Sequence, residues 1–195
     1  MAEASRCDDY RFAGFLDRNP KALEGVVIDA EILGDPATYQ PQADEVFVCG
    51  LGLPQPKMLC CRGLQRRGAV FLTIVHPTAI VSPFASIGAG SVLCAGAIVS
   101  PFANIGAAAI INTAATVDHD CILADGVHVS PGAHIGGSVQ VGEASWIGIG
   151  AAVRQGIFIG SDVVIGAGAA VVSTVGDALT VAGVPARTLN IGSRT

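Results

Sequence analysis

The chain has 195 residues and a net charge of −5; half of it is hydrophobic (51%), only 5% is aromatic, and 25 residues are glycine. An acidic balance excludes a broad nucleic-acid footprint, and the scarcity of rings excludes a core packed around large aromatics. From Gly68 to Val117 there is no Asp, Glu, Lys or Arg. Even so, Pro77, Pro83 and Asn104 break the windows of about 20 apolar residues that a membrane helix would need. No basic, apolar leader opens the chain, and a cytoplasmic protein is expected.

Residues 1–73 carry 8 of the 11 Lys and Arg and 10 of the 16 Asp and Glu, an ordinary soluble composition. Tyr10–Leu16 reads as a strand closed by the turn Asp17-Arg18-Asn19-Pro20. Val26–Ile28 and Ile32–Leu33 read as short extended pieces, and Glu45–Cys49 as a second apolar strand ending at Gly50-Leu51-Gly52. Lys57–Arg67 has helical character, and Phe71–Ile74 returns as a strand. This order predicts a small α/β domain over 1–73 with a parallel sheet. The six cysteines (Cys7, Cys49, Cys60, Cys61, Cys94, Cys121) form no C-x-x-C pair and no zinc-ligand spacing. They are expected as reduced thiols, mostly buried as small hydrophobes.

From Val75 the pattern changes. An aliphatic residue recurs every six positions, from Val75, Val81, Ile87 and Leu93 through to Ile159, Ile165 and Val171. A small or modest residue follows each by four, as at Ala79, Ala97, Ala115, Cys121, Ser145 and Val175. A helical stripe returns every 3.6 residues and cannot hold this register. A period of six suits a triangular solenoid with one hexad per side, so 75–176 makes nearly six coils. Gly88, Gly106, Gly136, Gly142, Gly148, Gly160 and Gly166 follow the aliphatic position, where either close packing or an unusual backbone angle would require glycine. The outward positions hold Ile80, Phe84, Phe102, Ile110, Trp146 and Phe158, an apolar surface that implies a cover; side-by-side trimerisation would supply one.

Four histidines stand in this half: His76, His119, His128 and His134. His119 sits in Asp118-His119-Asp120, which reads either as a solvated turn or as an imidazole base supported by a carboxylate. His128 lies nine residues on, half a coil away, so the two histidines face different sides of one chain. His128 and His134 are six apart, one side of the triangle, and cannot chelate one metal within a chain. A γ-carbonic-anhydrase-like site between subunits remains an alternative, as does an inactive scaffold. His76 and His134 read as structural.

The hexad run resembles the left-handed β-helix acyltransferases with hexapeptide repeats. The order FLD-x-N-P, apolar strand with G-x-G, helix and H-P-x-A narrows the resemblance to their nucleotide-sugar branch: the bacillosamine-type and perosamine N-acetyltransferases and the sialic-acid O-acetyltransferases. It implies a mainly β fold, a left-handed parallel β-helix over 74–195 behind a small Rossmann-like domain over 1–73. The opening strand and glycine-rich turn of that domain are not found before Tyr10, so the sheet is expected to lack the strand between 10–16 and 45–49. The resemblance further implies a homotrimer using acetyl-CoA as acetyl donor, no metal, and a nucleotide-linked amino-deoxy sugar as acceptor. His119 would be the general base and Asp120 its partner. His128, Gly137, Ile149, Ala167 and Arg187 would meet acetyl-CoA, with His128 near the thioester and the Gly137 N–H on the acetyl oxygen. Asp17, Gly50 and Asn112 would meet the acceptor.

Overall fold

The computed structural model describes residues 10–189, so Cys7 lies outside it. From Ile74 onward the chain winds as a parallel β-helix of triangular section. Two-residue strands recur every six residues and pair with the strand 18 residues later. The first face stacks Ile74–Val75, Val92–Leu93, Ile110–Ile111, His128–Val129, Trp146–Ile147, Val164–Ile165 and Thr180–Ala182, closed by antiparallel Arg187–Thr188. The second face runs from Ile80–Val81 through Thr116–Val117 and His134–Ile135 to Ala170–Val171. The third runs from Ser86–Ile87 through Ile122–Leu123 to Phe158–Ile159.

Alternation within each strand explains the hexad. The second residue points inward, so Leu93, Ile111, Val129 and Ile147 are fully buried and form one continuous core with the small residues at the corners. The register slips once. Val175 pairs with Ile159 and Thr180 with Val164, sixteen residues apart rather than eighteen, so the last coil is shorter than the repeat predicts. Val175 thereby takes an aliphatic rather than a corner position.

The two explanations for glycine fall mainly on different positions, although Gly90 and Gly126 are left-handed and also face a close side chain, Phe71 and Met58. Glycines after the aliphatic position serve close approach: a Cβ on Gly142 would lie 2.5 Å from the Gly160 carbonyl carbon and the Ser161 nitrogen. The left-handed backbone falls two residues later, at the turn position held by Phe102, Ala108, Ala114, Asp120, Gly132, Ser138 and their equivalents.

Two corner serines do more than leave room. Ser145 is fully buried; its hydroxyl donates to the Gly160 carbonyl at 2.7 Å and accepts the Val163 N–H at 3.0 Å. Ser91 makes the same pair with Gly106 and Ala109. Ser145→Ala strands both partners in an apolar interior and is expected to cost about 1–3 kcal/mol, measurable by urea unfolding; a change below a few tenths would contradict this role.

The N-terminal segment has less regular structure than its sequence suggests. Strand β1 is confined to Phe15–Leu16 and pairs in parallel with β2, Ile32–Gly34. Val26–Ile28 forms no strand. Strand β3, Val46–Phe47, precedes helix α1, Pro54–Gln65, and pairs in parallel with β4, Val70–Phe71. Ile74 is not part of that return strand but opens the solenoid. Among the described residues the two pairs form separate sheets, parted between Phe15–Leu16 and Val46–Phe47, where the sequence is expected to lack a strand.

Helix α1 lies along the corner between the third and first faces. Its start follows from Pro54 and Pro56, which need no N–H partner in the first turn. Met58, Cys61 and Leu64 pack with Ala108 and Ala144. Met58 fits over Gly126, where a Cβ would meet its sulfur at 2.4 Å. Arg62 pairs with Glu143 at 2.7 Å, and Gln55 donates to Asp162 at 3.1 Å. The segment and the solenoid therefore share an interface.

Candidate active site

His119 stands on the turn between the second and third faces. Asp120 after it is left-handed (φ 59), a conformation Asp tolerates better than most residues. That geometry brings the Asp120 carboxylate to 2.8 Å from His119 Nδ1. The turn is secured from below and above. The Asp120 N–H donates to the Pro101 carbonyl at 3.2 Å, and the Ser138 N–H to the His119 carbonyl at 2.8 Å. The Asp118 carboxylate accepts the His119 N–H at 2.8 Å.

With Nδ1 on Asp120, the Nε2 edge of the ring leans over Gly137, one coil later. A Cβ there would lie 2.7 Å from both Cε1 and Nε2, so glycine at 137 is what lets the imidazole take this position. The Asp120 hydrogen bond first, and the Asp118 charge second, raise the His119 pKa above its ordinary value. Both acidic residues and the imidazole are exposed. His119, Asp120 and Gly137 thus form one constellation, as their spacing predicts.

A second constellation lies on the first face. His128 is 7% exposed, and both its ring nitrogens are occupied. Nδ1 lies 2.8 Å from the Gly52 carbonyl, which can only accept, so Nδ1 carries the proton. Nε2 then accepts from Asn112 Nδ2 at 3.2 Å. The ring stacks on Trp146, centroids 5.9 Å apart and 17° between planes, and the indole N–H donates to Ser130 at 2.8 Å. Burial lowers the His128 pKa despite the Gly52 carbonyl, with the Lys57 charge acting in the same direction as burial. His128 is a neutral, fixed imidazole. Two expected site residues, Asn112 and His128, therefore meet, whereas Gly52, Ser130 and Trp146 join them without having been singled out. The period of eighteen from His128 to Trp146 was the available signal.

Ile110 is buried and Trp146 half-buried on this face, covered within the chain rather than by a neighbour; Ile80, Phe84, Phe102 and Phe158 stay exposed. Lys57 is 1% exposed, and among the described residues its ammonium has no hydrogen-bond partner. Burial pushes its pKa down to about 8, against the pull of Cys49 and Cys61. The Cys60 and Cys61 thiols donate to Cys49, lowering its pKa and raising their own. Cys49, Cys60, Cys61, Cys94 and Cys121 are all free thiols, and Cys60 and Cys94 are only partly buried.

The other expected site residues stand apart from these two centres. Ile149 and Ala167 stack on the corner between the first and second faces, joined by the Gly168 N–H donating to the Ile149 carbonyl at 2.8 Å; Ile149 is exposed. Arg187 is exposed at the last first-face strand and donates to the Ala186 carbonyl. Asp17 caps its own turn, accepting the Asn19 N–H at 2.8 Å. Gly50 touches nothing within 4 Å of a Cβ position, and Gly52 rather than Gly50 reaches the histidine. His76 bonds Thr78, and His134 bonds Thr116 at 3.0 Å. Among the described residues no cluster of three His, Cys, Asp or Glu is arranged to hold a metal, and no helix is long and apolar enough to cross a membrane.

A scan against protein-family models finds no match, and a search of curated proteins finds none either. Solved structures do match. The acetyltransferase domain of PglB from Neisseria gonorrhoeae, in complex with acetyl coenzyme A, is 38% identical over 90% of this chain and 85% of its own, with a TM-score of 0.81. The chain belongs to the hexapeptide-repeat acetyltransferases. A variant of perosamine N-acetyltransferase from Caulobacter crescentus, in complex with CoA and GDP-perosamine, is 31% identical over 91% of this chain and 85% of its own, with a TM-score of 0.85. WeeI from Acinetobacter baumannii is 26% identical over 90% of this chain and 85% of its own, with a TM-score of 0.80. Membership of this acetyltransferase family makes the chain an acyltransferase.

Proposed function

We propose that this acetyltransferase moves the acetyl group of acetyl-CoA directly to the amino group of a nucleotide-linked amino-deoxy sugar, working as a homotrimer. The observation that carries the reading is His119, its Nδ1 held by Asp120 and its Nε2 edge turned over Gly137. A neutral Nε2 takes the proton of the acceptor nitrogen as that nitrogen attacks the thioester carbonyl. Charge developing on the carbonyl oxygen is met by the Gly137 N–H. Collapse breaks the C–S bond and expels the CoA thiolate, while Asp120 stabilises the imidazolium until its proton leaves. No covalent enzyme intermediate is required.

The placing of the two histidines supports the trimer. His119 occupies the corner opposite the first face, which carries His128. The two can serve one site only if they come from different subunits. His128, Ile149, Ala167 and Arg187 would line the acetyl-CoA side, and Asn112, Gly50 and Asp17 the acceptor side. His128 acts there as a fixed neutral imidazole, since Gly52 and Asn112 already occupy its nitrogens. Mixing His119→Ala with His128→Ala subunits tests this arrangement. Recovery of activity in mixed trimers is expected; no recovery, with folding and subunit exchange verified, would contradict a shared site.

A further inference from the structure

We propose that Phe102, with Phe84 beside it, forms the apolar floor on which the acceptor sugar ring lies; the proposal rests on the reaction proposed above. The first observation is conformational. The left-handed turn position recurs in each hexad from Gly90 to Gly168, and its other occupants there are Gly, Ala, Ser or Asp. Phe102 holds it at φ 64, which a bulky side chain rarely does. Strain of this kind persists where something else depends on the residue, and it gathers at ligand sites.

The second observation is exposure. Phe102 is 64% and Phe84 68% exposed, with ring centroids 5.7 Å apart. Burial in the chain's own core therefore does not offset the strain at Phe102.

The third is position. Phe102 lies one coil beneath Asp120, in the same column of turns: the Asp120 N–H bonds the Pro101 carbonyl, and the Phe102 N–H bonds the Phe84 carbonyl at 3.3 Å. The imidazole leans the opposite way, towards Gly137. Of the five proposed donor contacts, Gly137, Ile149, Ala167 and Arg187 lie on later coils than His119, and His128 lies half a coil on. The thioester then arrives from the C-terminal side, and the acceptor nitrogen must come from the N-terminal side, where the phenylalanine pair stands. A deoxy sugar suits that floor, because its methyl and ring C–H groups face a π-surface that would leave a hydroxyl unpaired.

The test uses the full chain, acetyl-CoA, and UDP-, GDP-, dTDP- and CMP-linked amino sugars in deoxy and hydroxylated forms. Phe102→Gly is expected to raise the KM of the deoxy acceptor at least about tenfold and leave the KM of acetyl-CoA within about twofold. The thermal midpoint should not fall, since glycine takes this backbone without strain. Phe102→Tyr should restore the acceptor KM. An unchanged acceptor KM in Phe102→Gly would overturn the proposal. Dissociation of the assembly, with both KM values rising together, would overturn it too and make the pair a subunit contact. A wild-type protein that acetylates no acceptor in the panel would instead overturn the underlying reaction, and the sugar floor with it.

Discussion

Replacing His119 with alanine is expected to lower kcat by about a hundred- to ten-thousand-fold, the range of a positioned general base, with little change in fold because the side chain is exposed. The pH dependence identifies the role. A base must be neutral to accept a proton, so kcat/KM rises with pH through the His119 pKa. Hydrogen bonding to Asp120 and the charge of Asp118 raise that pKa, which puts the acid limb above that of an ordinary histidine. Asp120→Asn removes the larger of these effects. Its acid limb should move to lower pH and its plateau should drop, because the imidazolium loses its partner. Release of the CoA thiol followed from about pH 5 to pH 9, a range that spans the window in which histidine titrates, measures both. A limb that stays in place in Asp120→Asn would assign the titration to another group.

The largest effect on stability is expected at a glycine rather than in the aliphatic core. Gly142→Val places a branched side chain 2.5 Å from the backbone of the next coil. Backbone fixed in a parallel ladder cannot yield as a side-chain tip can, and the cost is about 3 kcal/mol or more. In a solenoid each coil is held by its neighbours, so the damage spreads to the coils on either side. Gly132→Ala makes the contrast. Gly132 is left-handed (φ 62) with nothing within 4 Å of a Cβ, so only conformational strain of about 1 kcal/mol is expected. Urea unfolding of the two variants separates close approach from backbone angle; equal losses would show that the coils can spread apart.

The same distinction marks where the sequence was readable. The solenoid was legible because every coil repeats the same local solution, and an error in one hexad is corrected by the next. Close approach and left-handed backbone fall two residues apart within each turn, and composition alone could not assign glycine to one or the other. Gly137 over His119 was legible for the reason the fold was, since a period of eighteen stacks one on the other; His119 and Asp120 were singled out through the resemblance. The surroundings of His128 were not. Its partners Asn112 and Gly52 come from 16 and 76 residues away, and the second arrives only because α1 docks on the solenoid corner. The N-terminal sheet was the least legible part. Its strands are two or three residues long, too short to show alternation.

Mass-spectrometric detection of the acetylated acceptor, after incubation of the protein with acetyl-CoA and the nucleotide amino-sugar panel, tests the proposed reaction most directly. The account predicts one acetyl group on the sugar nitrogen of at least one acceptor, lost in His119→Ala. No acetylated product from any acceptor, together with stoichiometric zinc in the purified protein, would contradict it.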